Sequence, residues 1–310
     1  LDNLLEKGSN CMEYKGIICA MITPLDENQN INPQATRELI DYLLDRGVYG
    51  LFILGTNGEC HVLTDDEKVE FAKIVIEHTN NRVPVFVGTG GNSTREVINL
   101  SKRMEAIGAS ALSIITPYFV PPTQQELIEH YKAVAAEVTL PIMMYNMPGK
   151  TGINIEPESV RELAKVKNIV GIKDSGGKLD NMKAYLEVTK GEDFGVFSGS
   201  DSLILDILKA GGHGAVAATA NFLAEIDVAI YDNFIKGDLE AAQKAQSSIE
   251  ELRSILKLGT IPSVIKQTVV LNGINVGPAR LPVTQPTGEK LEEIKRVVEA
   301  YKATFDKGLY

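Results

Sequence analysis

The stretch Val170-Gly171-Ile172-Lys173-Asp174-Ser175 carries the residue best suited to covalent chemistry. A β-branched apolar run beginning at Ile169 ends in a single lysine and passes at once into polar and glycine residues. Such a run reads as a buried strand delivering one amine to the open end of a sheet. Burial disfavours the ammonium form, and a neutral amine adds to a ketone to give a Schiff base. Taken by itself the stretch also fits a solvated lysine that closes a strand, because lysines are mostly exposed. Tyr145 lies about one strand-plus-helix unit upstream, so it is expected on the neighbouring strand. A phenol there can pass protons to and from a carbinolamine. The plainer role for Tyr145 is a rim tyrosine with a satisfied hydroxyl.

Gly55-Thr56-Asn57-Gly58-Glu59 is a glycine-bracketed turn. Successive backbone N–H groups in such a turn can form a concave anion site, which would hold a carboxylate beside the ketone. An ordinary glycine turn has the same composition. Ser198-Gly199-Ser200 falls where many barrels bind phosphate, so a phosphorylated substrate stays open. The four histidines, His61, His78, His130 and His213, show no metal-ligand spacing.

These residues need elements to position them. Short apolar runs at 17–22, 51–54, 83–87, 111–115, 141–145, 169–173, 195–198 and 215–218 are candidate strands. Amphipathic stretches alternate with them, most at a spacing close to one unit of an eightfold barrel. Asn32-Pro33 opens one helix, and Thr64-Asp65-Asp66-Glu67 opens another as a capping box. Ser93-Thr94-Arg95-Glu96 repeats that start. Gly47 and Gly108 stop two helices. The expected fold is therefore α/β, a (β/α)8 TIM barrel over residues 12–220. Residues 221–310 form the last barrel helix and a C-terminal helical extension, with helices near 239–258, 261–271 and 289–305. A doubly wound open sheet is the alternative, but no G-x-G-x-x-G turn comes after the first strand. Residues 1–11 fit poorly with the rest of the chain and read as a leader or tag remnant.

Composition narrows the function. The 310 residues are 44% hydrophobic and 23% charged, as in an ordinary globular protein. A net charge of -10 argues against nucleic acid and anionic membranes as partners. No apolar run reaches the roughly 18 residues of a membrane span. Three cysteines, Cys11, Cys19 and Cys60, show no paired spacing, which points to a cytoplasmic location.

Taken together, G-T-N-G-E at Gly55–Glu59, Y-N-M-P at Tyr145–Pro148 and G-I-K-D-S at Gly171–Ser175 resemble the dihydrodipicolinate synthase / N-acetylneuraminate lyase family. The resemblance runs from about Lys15 to the C-terminus. It implies that Lys173 forms the Schiff base with pyruvate and that Tyr145 transfers protons. It implies that Thr56 and Asn57 bind the pyruvate carboxylate, while the backbone carbonyl of Val216 and the turn at Gly199 line the pocket. It also implies a homotetramer built as a dimer of dimers, with no metal and no organic cofactor.

Departures from the synthase pattern bear on the second substrate. Asn57 replaces a threonine. Lys150 stands where synthases usually carry an arginine that holds the aldehyde's carboxylate, giving a point charge in place of a fork. Phe119 replaces a tyrosine whose phenol completes a proton relay across the dimer. Lys173-Asp174-Ser175-Gly176-Gly177 looks more like 4-hydroxy-2-oxoglutarate and 2-keto-3-deoxy sugar-acid aldolases. The expected function is a retro-aldol lyase acting on such a 2-oxo acid, with pyruvate as the lysine-bound partner and a second oxo substrate. The alternatives are a 4-hydroxy-tetrahydrodipicolinate synthase condensing pyruvate with aspartate semialdehyde, and a paralogue that binds a keto acid without turning it over.

Overall fold

A computed structural model describes residues 14–305 of the chain, so the expected leader at 1–11 lies outside the described residues. Eight parallel strands close into a barrel in chain order. They are β1 (Gly16–Ala20), β2 (Gly50–Ile53), β3 (Val85–Gly88), β4 (Ala111–Ile115), β5 (Ile142–Asn146), β6 (Ile169–Asp174), β7 (Gly195–Ser198) and β8 (Gly214–Ala217). Each lies within a residue or two of an apolar run in the sequence. All their residues are buried except Ile115, which is half-buried. A strand covered on both faces has no polar side to show, so it reads as a continuous run and not as an alternation.

The chain forms two compact units. One contains Thr89–Ala215; the other contains Gly16–Gly88 together with the chain from Val216 onward. In the first, β4, β5, β6 and β7 pair in parallel, and Tyr145 stands opposite Lys173 in the β5–β6 register. In the second, β1 pairs with β2 and β2 with β3.

Local sequence accounts for several helix starts. Asn32 caps Pro33–Asp45 through the amide of Ala35. Thr64 and Glu67 form the expected capping box at Asp65–Thr79. Thr123 and Glu126 form a second one at Gln124–Ala135. Ser93 does not cap Thr94–Ala106 with its side chain, although its spacing to Glu96 matches the motif. The expected run at 239–258 divides at Ile249 into Leu239–Ser248 and Glu250–Ile255. Helices Ser263–Leu271 and Gly288–Phe305 complete the C-terminal part. No helix among the described residues is long and apolar enough to cross a membrane.

Glu67 has a second task. Its carboxylate accepts from the Thr64 amide at 2.8 Å and pairs with Arg280 at 2.7 Å. The Arg280 hydrogen bond, ahead of the Thr64 amide and hydroxyl, holds the Glu67 carboxyl down to about 2 against the opposing effect of burial. A depressed carboxyl stabilises the fold above its unfolded value, near 4.5, and that contribution is lost as pH falls towards 2. Glu67→Gln should therefore cost about 1–2 kcal/mol near neutrality, a figure discounted for partial solvent screening. The gap between variant and parent in urea unfolding should close as pH is lowered through that window. A gap of constant size down to the acid limit would contradict this.

Candidate active site

The unit holding Thr89–Ala215 carries the amine. Lys173 is the penultimate residue of β6 and Tyr145 the penultimate residue of β5, and both are buried, at 3% and 4% exposure. Lys173 Nζ lies 4.1 Å from the centroid of the Tyr145 ring. The Tyr145 hydroxyl donates to Met147 Sδ at 2.9 Å. The sequence places two functional groups near one another; the structure adds that the face of the ring itself packs on the amine. An aromatic face in that position favours a positive charge on nitrogen, which is the state of an iminium.

The next residue pair along the two strands, Asn146 and Asp174, faces the other way, because side chains alternate along a strand. There they build a buried network. Asp174 accepts from Asn146 Nδ2 at 3.0 Å, from Asn181 Nδ2 at 3.0 Å and from the Gly176 amide at 2.8 Å. Asn146 Oδ1 accepts from the Ile155 amide at 3.0 Å. The Tyr185 hydroxyl donates to Ile155 O and accepts from Asn181. Burial pushes the Tyr185 phenol well above its ordinary range, so it stays protonated and serves as a donor. The network fixes the ends of β5 and β6, and with them the register that sets Tyr145 against Lys173.

Gly199 comes directly after β7 and donates its amide to Asp174 O at 2.7 Å. A Cβ at this position would stand 2.9 Å from Lys173 Cε and 2.0 Å from Ser175 Oγ. The glycine thus makes room for the lysine stem, a use beyond the pocket-lining role expected for it. The phosphate reading of this turn finds no support. The Ser198 hydroxyl donates to Ser200 O at 2.9 Å and accepts from the Ser200 amide at 3.1 Å, so the turn spends these groups on itself.

Lys150 is exposed on the short helix Pro148–Thr151, and a side chain added at the neighbouring Gly149 would meet nothing within 4 Å. Phe119 is 92% exposed on a left-handed backbone, with φ 75°. His130 is buried, and burial pushes its imidazole below the ordinary value. Its Nδ1 lies within hydrogen-bonding distance of Thr94 Oγ1, at 2.9 Å. Among the described residues no three His, Cys, Asp or Glu side chains gather as a metal would require.

The other unit carries the Gly55–Glu59 turn, just after β2. Thr56 and Asn57 are half-buried between buried shoulders. Leu54 and Glu59 bracket the turn in the left-handed region, at φ 56° and 57°. A backbone conformation of this kind costs about 1–3 kcal/mol per residue and persists only where the surroundings enforce it. Gly88 shows how close they come, since a Cβ there would lie 2.0 Å from Leu54 O. Thr23 donates its hydroxyl to Gly58 O at 2.7 Å. Val216 is buried within β8. Asn221, just beyond that strand, bonds the Ile22 amide and Ala20 O of the β1 segment and so holds the backbone there.

A barrel lyase whose buried strand-end lysine is matched with a tyrosine on the adjacent strand is the class these features define. The chain belongs to the dihydrodipicolinate synthetase family, whose model matches residues 13–301. It is 36% identical over 287 residues to a 4-hydroxy-tetrahydrodipicolinate synthase 1 of Halalkalibacterium halodurans, covering 93% of this chain and 97% of that one. The fold matches a dihydrodipicolinate synthase crystal structure from Bacillus anthracis with a TM-score of 0.90 and 33% identity, covering 93% of this chain and 98% of the other. It matches equally well a prophage protein of E. coli K12 from the dihydrodipicolinic acid synthase family, solved in complex with pyruvate. There the TM-score is 0.90 and the identity 32%, over 93% of this chain and 99% of that one. As a member of this family the chain is an enzyme of the lyase class that works through a pyruvate Schiff base.

Proposed function

We propose that this chain is a 4-hydroxy-tetrahydrodipicolinate synthase, joining pyruvate to aspartate semialdehyde. The observation that carries the reading is the full-length similarity to enzymes bearing that name, and it outweighs the retro-aldol expectation from the sequence. Lys173 adds to C2 of pyruvate, and loss of water from the carbinolamine gives the iminium. Removal of a proton from the methyl carbon gives an enamine, whose carbon attacks the aldehyde of the second substrate. Tyr145 carries protons between the carbinolamine, the leaving water and the new hydroxyl. Thr56 and Asn57 take the pyruvate carboxylate, with Gly199 leaving space for the lysine stem.

Lys150 takes the carboxylate of the semialdehyde. Lys150→Ala should raise the Michaelis constant for aspartate semialdehyde about ten- to a hundredfold, the worth of a charge-assisted hydrogen bond of roughly 1.5–3 kcal/mol. Borohydride trapping of pyruvate should not change in that variant. Lys150→Arg should restore or improve condensation by supplying a bidentate fork. Unchanged steady-state kinetics in Lys150→Ala would make it a surface residue only.

A second reading rests on the same residues. Lys150 in place of arginine, Phe119 in place of tyrosine and the Lys173–Gly177 sequence favour cleavage of 4-hydroxy-2-oxoglutarate or a 2-keto-3-deoxy sugar acid. The deciding experiment is a product assay of the purified enzyme with pyruvate plus aspartate semialdehyde alongside those two oxo acids. A kcat/KM for cleavage above that for condensation would overturn the synthase reading.

A further inference from the structure

We infer that Lys266 is a positioning residue for the keto-acid carboxylate, acting through Glu59 on the Gly55–Glu59 turn. This rests on the proposed role of that turn. Lys266 lies on the helix Ser263–Leu271 and is fully buried, at 0% exposure, while Glu59 is 2% exposed. Their Nζ and Oε1 atoms are 2.8 Å apart. Lys266 also donates to Pro278 O at 2.7 Å, and the Arg280 amide donates to Glu59 Oε2 at 3.0 Å. The Arg280 guanidinium continues the brace to Val62 O at 3.2 Å and to Gln29 O.

Two ions taken wholly out of water are seldom a gain in stability over apolar residues of the same size. Their value lies in fixing one geometry. Here that geometry is a turn whose last residue is left-handed at φ 57° without being glycine. What holds Glu59 in this strained state is its carboxylate, clamped by Lys266 on one oxygen and by the Arg280 amide on the other. Burial lowers the Lys266 ammonium, and Glu59 at 2.8 Å opposes that shift. Losing either frees Glu59 to relax, and the turn with it.

The test uses the full-length enzyme and the variants Lys266→Met, Glu59→Gln and Lys266→Arg. Amide hydrogen exchange without substrate should show residues 54–62 losing about tenfold protection in Lys266→Met and Glu59→Gln, with β5 and β6 unchanged. The pyruvate concentration giving half-maximal borohydride trapping should rise about tenfold or more in both, with the yield at saturation preserved. Lys266→Arg should recover part of each change. If Lys266→Met does not fold, Glu59→Gln decides, since it keeps the shape and removes the charge. A lowered melting temperature with unchanged exchange at 54–62 and unchanged half-maximal pyruvate would show a purely structural pair and overturn the inference. Altered exchange at 54–62 with unchanged half-maximal pyruvate would overturn the inference by removing the turn from keto-acid binding, whereas no trapping in the parent enzyme would sink the Schiff-base function on which it rests.

Discussion

Lys173→Ala should lose the pyruvate adduct and turnover together. The parent enzyme, treated with pyruvate and borohydride, should carry one stable adduct, and peptide mapping should place it on Lys173. Schiff-base catalysis divides a difficult carbanion step into easier ones, and alanine leaves no amine at the end of β6. The variant should fall by at least about four orders of magnitude in kcat/KM, the scale seen when a covalent nucleophile is removed. The fold should survive, because the buried bonds among Asn146, Asp174, Asn181 and Tyr185 hold the ends of β5 and β6 and all four side chains are kept in the variant. Full activity in Lys173→Ala, or an adduct mapping to another lysine, would refute the mechanism. Strong inhibition by EDTA would point to metal-dependent chemistry instead.

Tyr145→Phe should separate binding from proton transfer. The ring that packs on Lys173 Nζ at 4.1 Å is retained, so the amine keeps its neighbour. The hydroxyl alone is removed, and its hydrogen bond to Met147 Sδ is a weak one to lose. Without the proton carrier, carbinolamine dehydration and hydroxyl protonation slow by about a hundred- to ten-thousandfold, the usual worth of general acid–base catalysis. The effect should fall on kcat, with little change in the pyruvate concentration for half-maximal trapping at long reaction times. Stopped-flow measurement of iminium formation checks it. A variant as fast as the parent would leave Tyr145 as a packing residue.

Much of this was legible in the sequence, for physical reasons that differ from residue to residue. The eight strands showed because a doubly covered strand must be apolar throughout. Lys173 stood out because it is the one amine at the end of such a run. Thr64 was readable because a capping box is local, and its signal spans four residues. Ser93 carried the same signal without making the bond, so the motif alone does not guarantee the geometry. Asn146 and Asp174 stand inside the quoted motifs, yet nothing in the sequence links them to each other. Their partners, Ile155, Asn181 and Tyr185, come from separate segments that only the fold brings within reach. Glu59 and Lys266 lie most of the chain apart, and a buried ion pair leaves no periodic trace. The phosphate reading of Ser198–Ser200 gains no support from the bonds within the turn, and composition cannot tell whether a serine hydroxyl faces a ligand or closes its own turn.

The crowding around Gly199 and the open space around Gly149 divide this molecule by how freely it can change. At Gly199 any side chain collides with the lysine stem, and at Gly88 with backbone, so mutational drift there is blocked by contact. On the helix Pro148–Thr151 a new side chain at Gly149 meets nothing within 4 Å. The same holds at Gly177, where a positive φ disfavours substitution but no neighbour forbids it. Lys150 sits in the permissive region. With Lys150 in the role proposed for it, the choice of second substrate can be rewritten, by selection or by an engineer, through single changes on that helix that leave the ends of β5 and β6 untouched.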